Sequence, residues 1–379
     1  MRVFPIAMSA VLLLSGCADR VTMHIDPSAR DVGTVHEMLV VTNRGMRAQD
    51  GAFNESREDS LSFVKAEVSV PPSHKAGATE HSTRNPKPER DFVIVGQEIL
   101  SSKSLFKADL RRSLSHLPSA ERDVTLFVHG YNVSYSEALF RLTQMRHDLN
   151  PPGVPVLFSW PSAAQIVGYA NDQDSTLFSR DALQETLFAL DSVAPKRSLL
   201  VAHSMGAMLA METLRQIEIE RPGWSRRHLQ GVVLISPDID IDVFHSQLAR
   251  IPNLPQPFVV FVSQRDRALE ISGLVNGRPQ RLGREGDIES LQDHPILVID
   301  VTEFGEGRGT DHFTVATSAE LLDFLSDPAL EDAVNTRQFG SNQLSAIGQL
   351  VSSTEQRAEQ AVQWVLFPNT PEGQRTRRR

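Results

Sequence analysis

Short, largely apolar runs recur along the chain at residues 124–128, 154–159, 198–202, 231–236, 257–263 and 296–301. Runs of this length without polar alternation predict strands buried on both faces. Between them apolar residues return at helical spacing. Leu105, Phe106, Leu110 and Leu114 do so within residues 104–117, and Leu139, Leu142, Met145 and Leu149 within 136–149. Residues 174–190 read as a further helix, and 314–325 as a closing one after the last strand. Upstream, residues 36–42 and 91–100 predict strands, and 61–70 alternate, with Leu61 and Phe63 on one side and Ser62, Lys65 and Glu67 towards water. Strand and helix in alternation predict the α/β class: a mostly parallel, doubly wound sheet flanked by helices. Residues 71–89, rich in Pro, Ser, Lys and Gly, predict an exposed loop in which His74 and His81 are solvated.

Composition adds bounds rather than detail. The chain has 379 residues, enough for one large α/β domain with extended ends. A formal charge of −9 gives no basic footprint, so no nucleic-acid partner is expected. The single cysteine, Cys17, rules out an intrachain disulfide. It stands after a positive start at Arg2, an apolar stretch at residues 6–14, and Leu14-Ser15-Gly16. That order predicts a secretory signal peptide over residues 1–16. Its end resembles the lipobox of bacterial lipoproteins, which implies cleavage before Cys17, lipid attachment there, and a membrane partner through the N-terminal anchor. Ala18, where Asp would hint otherwise, implies an outer-membrane location facing the periplasm. The expected organisation is then a tether over 17–34, a folded domain over 35–326 and a polar tail over 327–379. That tail has a helical patch at 344–364, extending to Val365, and a basic end at 375–379.

One stretch carries the clearest chemistry. Residues 198–202 form a strand, Ser204 follows at once, and an Ala- and Met-rich helix begins behind it. Ala202 and Gly206 flank the serine two residues away on each side, small enough for strand and helix to approach closely. This is a nucleophile-elbow pattern, with alanine in the first position. A serine hydroxyl needs a base, and the base needs a carboxylate to fix its tautomer. His312, in the loop after the last strand, is the candidate base, and Asp266, after the 257–263 strand, the candidate acid. Asp238, or Asp240 beside it, is the alternative acid; helix capping is the competing role for both. The backbone N–H groups of Met205 and Tyr131 are the candidate oxyanion donors, since Gly130 lets that loop turn inward. Trp160 and Tyr169 line a pocket or form a strand-end packing cluster. There is no H-E-x-x-H and no Walker-type loop, so neither metal nor cofactor is expected.

Taken together, Val41-Thr42-Asn43-Arg44, Phe127-Val128-His129-Gly130-Tyr131-Asn132, Phe158-Ser159-Trp160-Pro161, Ala202-His203-Ser204-Met205-Gly206, Ser236-Pro237-Asp238-Ile239-Asp240, Asp266-Arg267-Ala268-Leu269 and Asp311-His312 resemble a bacterial family of α/β-hydrolases of unknown function. The resemblance implies a serine hydrolase, esterase-like, with Ser204, Asp266 and His312 as its triad, but not its substrate; a small ester-like substrate is the expectation from the residues themselves. The chain departs from the family at Asp311-His312-Phe313, where relatives often carry Gly-His-Ser or Gly-His-Tyr. The inserts at 240–257 and 267–295 are short, which predicts an open cleft and short-chain esters. A thioesterase, amidase or acyltransferase would use the same residues, and a non-catalytic envelope lipoprotein would use none.

Overall fold

The computed structural model describes residues 23–277, 280–284, 291, 294–304, 312–318 and 364–366. Within them lie strands β1 (Thr34–Met46), β2 (Phe53–Val70), β3 (Val93–Leu100), β4 (Asp123–Val128), β5 (Val154–Ser159), β6 (Arg197–His203), β7 (Gly231–Ile235), β8 (Phe258–Val262), β9 (Leu297–Asp300) and β10 (Trp364–Leu366). They form one sheet in the order β10-β9-β8-β7-β6-β4-β5-β1-β2-β3. Pairing from β1 through β5, β4, β6, β7 and β8 to β9 is parallel; β2, β3 and β10 are antiparallel additions at the two edges. The helices are α1 (Lys103–Ser115), α2 (Tyr135–Leu149), α3 (Tyr169–Phe178), α4 (Arg180–Asp191), α5 (Met205–Glu220), α6 (Trp224–His228), α7 (Ile241–Leu248), α8 (Arg267–Val275) and α9 (Thr314–Thr317). None in the described residues is long and apolar enough to cross a membrane.

The continuous apolar runs are explained by burial on both faces. In β1, Leu39 and Val41 enter one core while Met38 and Val40 enter the other. β5 divides likewise, Val156 and Phe158 against Leu157. α2 begins with a capping box, in which the Ser134 hydroxyl accepts from Glu137 N–H and the Glu137 carboxylate accepts from Ser134 N–H. It ends at Asn150 in the left-handed region, φ 41°.

Several expectations need correction. Residues 23–34 are not a loose tether: Ile25 bridges Ile94, and a 3-10 turn at Pro27–Asp31, capped by Asp26, buries Ala29 completely. Residues 174–190 are not one helix, because α3 and α4 meet at the buried Ser179, whose hydroxyl is held by Asn43. The closing helix is interrupted: α9 spans one turn, Thr314–Thr317, and Ser318 is extended, with ψ at 115°, while residues 319–325 lie outside the described residues. In the tail, Trp364–Leu366 is a strand rather than the end of a helix. His74 is not solvated either. Its Nδ1 meets Glu80 at 2.9 Å and its Nε2 meets Asp148 at 2.8 Å, with the side chain 7% exposed. Cys17, residues 305–311 with Asp311, and the rest of the tail lie outside the described residues.

Candidate active site

Parallel register brings five strand ends to one edge. Val128 pairs with Ala202, His203 with Ile235, Ile235 with Phe261, and Val262 with Asp300. The loops carrying Gly130, Ser204, Asp238, Asp266 and His312 therefore leave the sheet on the same side.

Ser204 sits between β6 and α5 with φ 53° and ψ −124°, a conformation that non-glycine residues rarely hold. Neighbouring backbone fixes it: Ser204 N–H donates to the Ile235 carbonyl at 2.9 Å, and Asp238 N–H donates to the Ser204 carbonyl at 3.2 Å. Gly130 is forced by the same crowding, since a Cβ there would lie 2.9 Å from the Ser204 Cβ and 2.6 Å from His203 Nδ1. The 129–131 loop thus lies directly against the elbow. Met205 opens α5, where backbone N–H groups have no partner within the helix.

His312 faces Ser204 and Asp266 at once. Its Nδ1 is 2.7 Å from Asp266 Oδ2, and its Nε2 is 2.7 Å from Ser204 Oγ. A carboxylate accepting from Nδ1–H leaves Nε2 as the acceptor for the serine proton. Asp266 is fully buried and divides its oxygens, because Oδ1 caps α8 by accepting from Leu269 N–H at 3.0 Å. The capping geometry and the helix dipole both favour a carboxylate at this position. His203 supports the base from below. Its Nε2–H donates to the His312 carbonyl at 3.1 Å, and burial, then His312, keep its pKa well below the usual imidazole value. Phe313 wedges against the His203 ring at 4.1 Å and lies under the Arg141 guanidinium at 5.0 Å.

The alternative acids are engaged elsewhere. Asp238 accepts from the Ser272 hydroxyl at 2.6 Å and the Tyr169 hydroxyl at 2.9 Å, and pairs with Arg281 at 3.4 Å without hydrogen-bond geometry. Asp240 caps α7. Trp160 is not a pocket wall: it is fully buried, stacked on His129 at 5.0 Å, with Nε1–H donating to the His129 carbonyl at 2.7 Å. Tyr169 is half-buried and meets Tyr131 edge-on at 5.3 Å. The Tyr131 hydroxyl donates to the Ile166 carbonyl.

Two positioning residues carry no catalytic signature in the sequence. Bulges on either side of Arg44 turn its side chain inward, where it donates to the carbonyls of Val133 at 2.8 Å and Ser162 at 3.1 Å and to Ser159 Oγ at 2.9 Å. Asp172, also fully buried, accepts from Ser162 Oγ and from the N–H groups of Ala163 and Asn132. Together they fix the two loops beside the elbow. The family motif containing Arg44 hinted at importance, but only the bulges reveal its task.

His129 gives the loop an acid-sensitive support. Its ring nitrogens face the Gly130 and Trp160 carbonyls at 2.8 and 3.1 Å. Burial, reinforced by the Arg44 charge, nevertheless lowers its pKa to about 3. The unfolded chain takes up this proton near pH ~6.5, the folded chain only near 3, so stability falls as pH drops through that window. Between pH 7 and pH 5 the loss from this group is about 2 kcal/mol. His129→Gln should shrink the difference in urea unfolding free energy between those two pH values by that amount. An unchanged difference would show that the proton is not excluded.

A mostly parallel sheet flanked by helices, with an elbow serine at its carboxyl edge and a histidine and an aspartate in line behind it, defines an α/β-hydrolase. Residues 102–330 match the family described as alpha/beta hydrolase of unknown function (DUF900), and the chain belongs to that family. No curated protein matches it. Among solved structures it is similar to an esterase from Pyrobaculum calidifontis, at 10% identity over 82% of this chain and 87% of that one, with a TM-score of 0.34. It is also similar to a propionate-bound esterase from Thermogutta terrifontis, at 12% identity over 76% and 96%, with a TM-score of 0.30. Likeness at that level speaks to neither substrate nor mechanism.

Proposed function

We propose that the chain is a serine esterase working through an acyl-enzyme. The reading rests on the unbroken row from Asp266 Oδ2 through His312 to Ser204 Oγ, 2.7 Å at each step. His312 Nε2 takes the Ser204 proton as Oγ attacks the ester carbonyl. The N–H groups of Met205 and Tyr131 face the developing oxyanion. His312 then gives the proton to the departing alkoxide, and water, activated by the same nitrogen, releases the acid. Asp266 holds the Nδ1 tautomer throughout. The short inserts at 240–257 and 267–295 favour a small ester-like substrate with a short acyl chain. We read Cys17 as the lipid attachment point that holds the domain in the cell envelope, and labelled-palmitate incorporation lost in Cys17→Ala tests it.

The reaction is tested with a fluorophosphonate probe and a panel of 4-nitrophenyl esters, an acyl thioester and an anilide. Labelling at Ser204 with turnover highest on short esters is expected. Preferred cleavage of the thioester or anilide would move the assignment to those classes, and absence of labelling would leave a non-catalytic scaffold. Asp266→Asn keeps the α8 cap through its remaining oxygen but presents an amide donor to His312 Nδ1. Turnover should fall by about 10⁴-fold with little change in KM. A loss of tenfold or less would mean that Asp266 does not orient the base.

A further inference from the structure

A second group of side chains gathers where the 71–91 loop crosses the last turn of α2, outside the row described above. One nitrogen each from His74 and His147 and one oxygen from Asp148 lie within 4.8 Å of one another. His74 Nε2 and Asp148 Oδ1 are 2.8 Å apart, and the His74 and Asp148 side chains are 7% and 4% exposed. The His74 and His147 rings stand edge to face at 5.3 Å. His147 and Asp148 are sequence neighbours, pointing about 100° apart on the helix, so a single point reaches both only in the groove between them. His74 is the residue that occupies that groove.

We infer that His74, His147 and Asp148 form a binding site for one divalent transition-metal ion of the zinc type. Two imidazoles and one carboxylate are the donor set such ions favour. Around a tetrahedral ion with bonds of ~2.0–2.1 Å, ligand atoms stand about 3.3 Å apart. His74 and Asp148 therefore need to part by only about half an ångström, while His147 closes in by turning its ring. The atom opposite each ligand is already held, which is how such sites orient their ligands. His74 Nδ1 is fixed by Glu80 at 2.9 Å, and His147 Nδ1 pairs with His36 Nε2 at 3.0 Å. Asp148 Oδ2 accepts from Gly77 N–H at 2.8 Å and Gln144 Nε2 at 2.5 Å. With Nδ1 of His147 so engaged, its Nε2 is the nitrogen left for the ion, and water completes the coordination.

The ion would clamp the 71–91 loop to α2. That loop touches the segment carrying His312: Gly77 lies against the Thr317 carbonyl, and Arg141 donates to the Gly77 carbonyl at 3.2 Å while covering Phe313. The sequence hides the site, because His74 is far in the chain from His147 and Asp148 and the three follow no ligand spacing.

The test uses untagged full-length protein stripped with a chelator, then titrated with Zn²⁺ and Co²⁺. The expected result is about one equivalent bound per chain, with the visible ligand-field bands of a low-symmetry Co²⁺ complex. Free Zn²⁺ at about 100 times Kd should raise Tm by several degrees. His147→Gln should abolish the uptake. Glu80→Gln and His36→Gln keep all three ligands and should weaken it roughly 10–100-fold. No uptake by the native chain, or the same uptake in His147→Gln, overturns the site. Should His147→Gln not fold, native-like affinity in both Glu80→Gln and His36→Gln overturns it equally.

Discussion

Ser204→Ala is expected to lower ester turnover by roughly 10⁴–10⁶-fold while leaving the fold in place. The size of the loss follows from the chemistry, since no other hydroxyl stands within reach of His312 Nε2 among its described partners. Removing Oγ takes away a small group at a backbone held by the Ile235 carbonyl and the Asp238 N–H, neither of which depends on the side chain. His312→Ala should cost a similar factor. The double variant should be little worse than either single one, because the two side chains act as a unit. Hydrolysis of 4-nitrophenyl acetate and thermal unfolding, measured on the three variants, check both statements. A loss below tenfold in Ser204→Ala would mean that another group attacks, and additive losses would mean that the row is not a unit.

Gly206→Ala should have the second largest effect, and on stability as well as turnover. A Cβ at this position would lie 2.8 Å from the Val128 carbonyl oxygen and closer still to that of His129. Both atoms are backbone at the end of β4, so no flexible side chain can move aside. Either α5 or the 128–131 segment must shift, at a cost of about 3 kcal/mol or more. The shift separates the elbow from the loop that carries the Tyr131 N–H, so kcat falls with stability. Urea unfolding and ester hydrolysis on the same sample measure both. Stability within about 0.5 kcal/mol of the native chain, the range of a harmless surface change, would show that strand and helix are not in close approach here.

The central sheet was legible because its strands are buried on both faces and so read as largely apolar runs without alternation. The elbow was legible because its small residues answer a backbone constraint that any sequence must obey there. The order of serine, aspartate and histidine followed from strand order. What escaped reading depends on partners distant in the chain. The first half of β2, residues 53–60, is mostly polar, since this part of the hairpin with β1 is largely open to water, and nothing there alternates. The break between α3 and α4 has no proline or glycine to announce it; Asn43, 136 residues away, makes it tolerable by satisfying Ser179. Asp238 and Asp266 look alike in sequence as acids after strands. Only the partners of each, Tyr169 and Ser272 for one and His312 for the other, separate them.

The inward-turned arginine of the first hairpin has a practical consequence. Arg44 precedes residue 102, where the family match begins, yet the carbonyls it holds belong to loops inside that match. A shortened protein cut at residue 102 would lose that brace together with β1, β2 and β3, leaving β5 with a bare, sticky border along which copies could add to one another. Anyone trimming this enzyme for crystallisation or engineering should therefore keep the leading hairpin as part of the working unit.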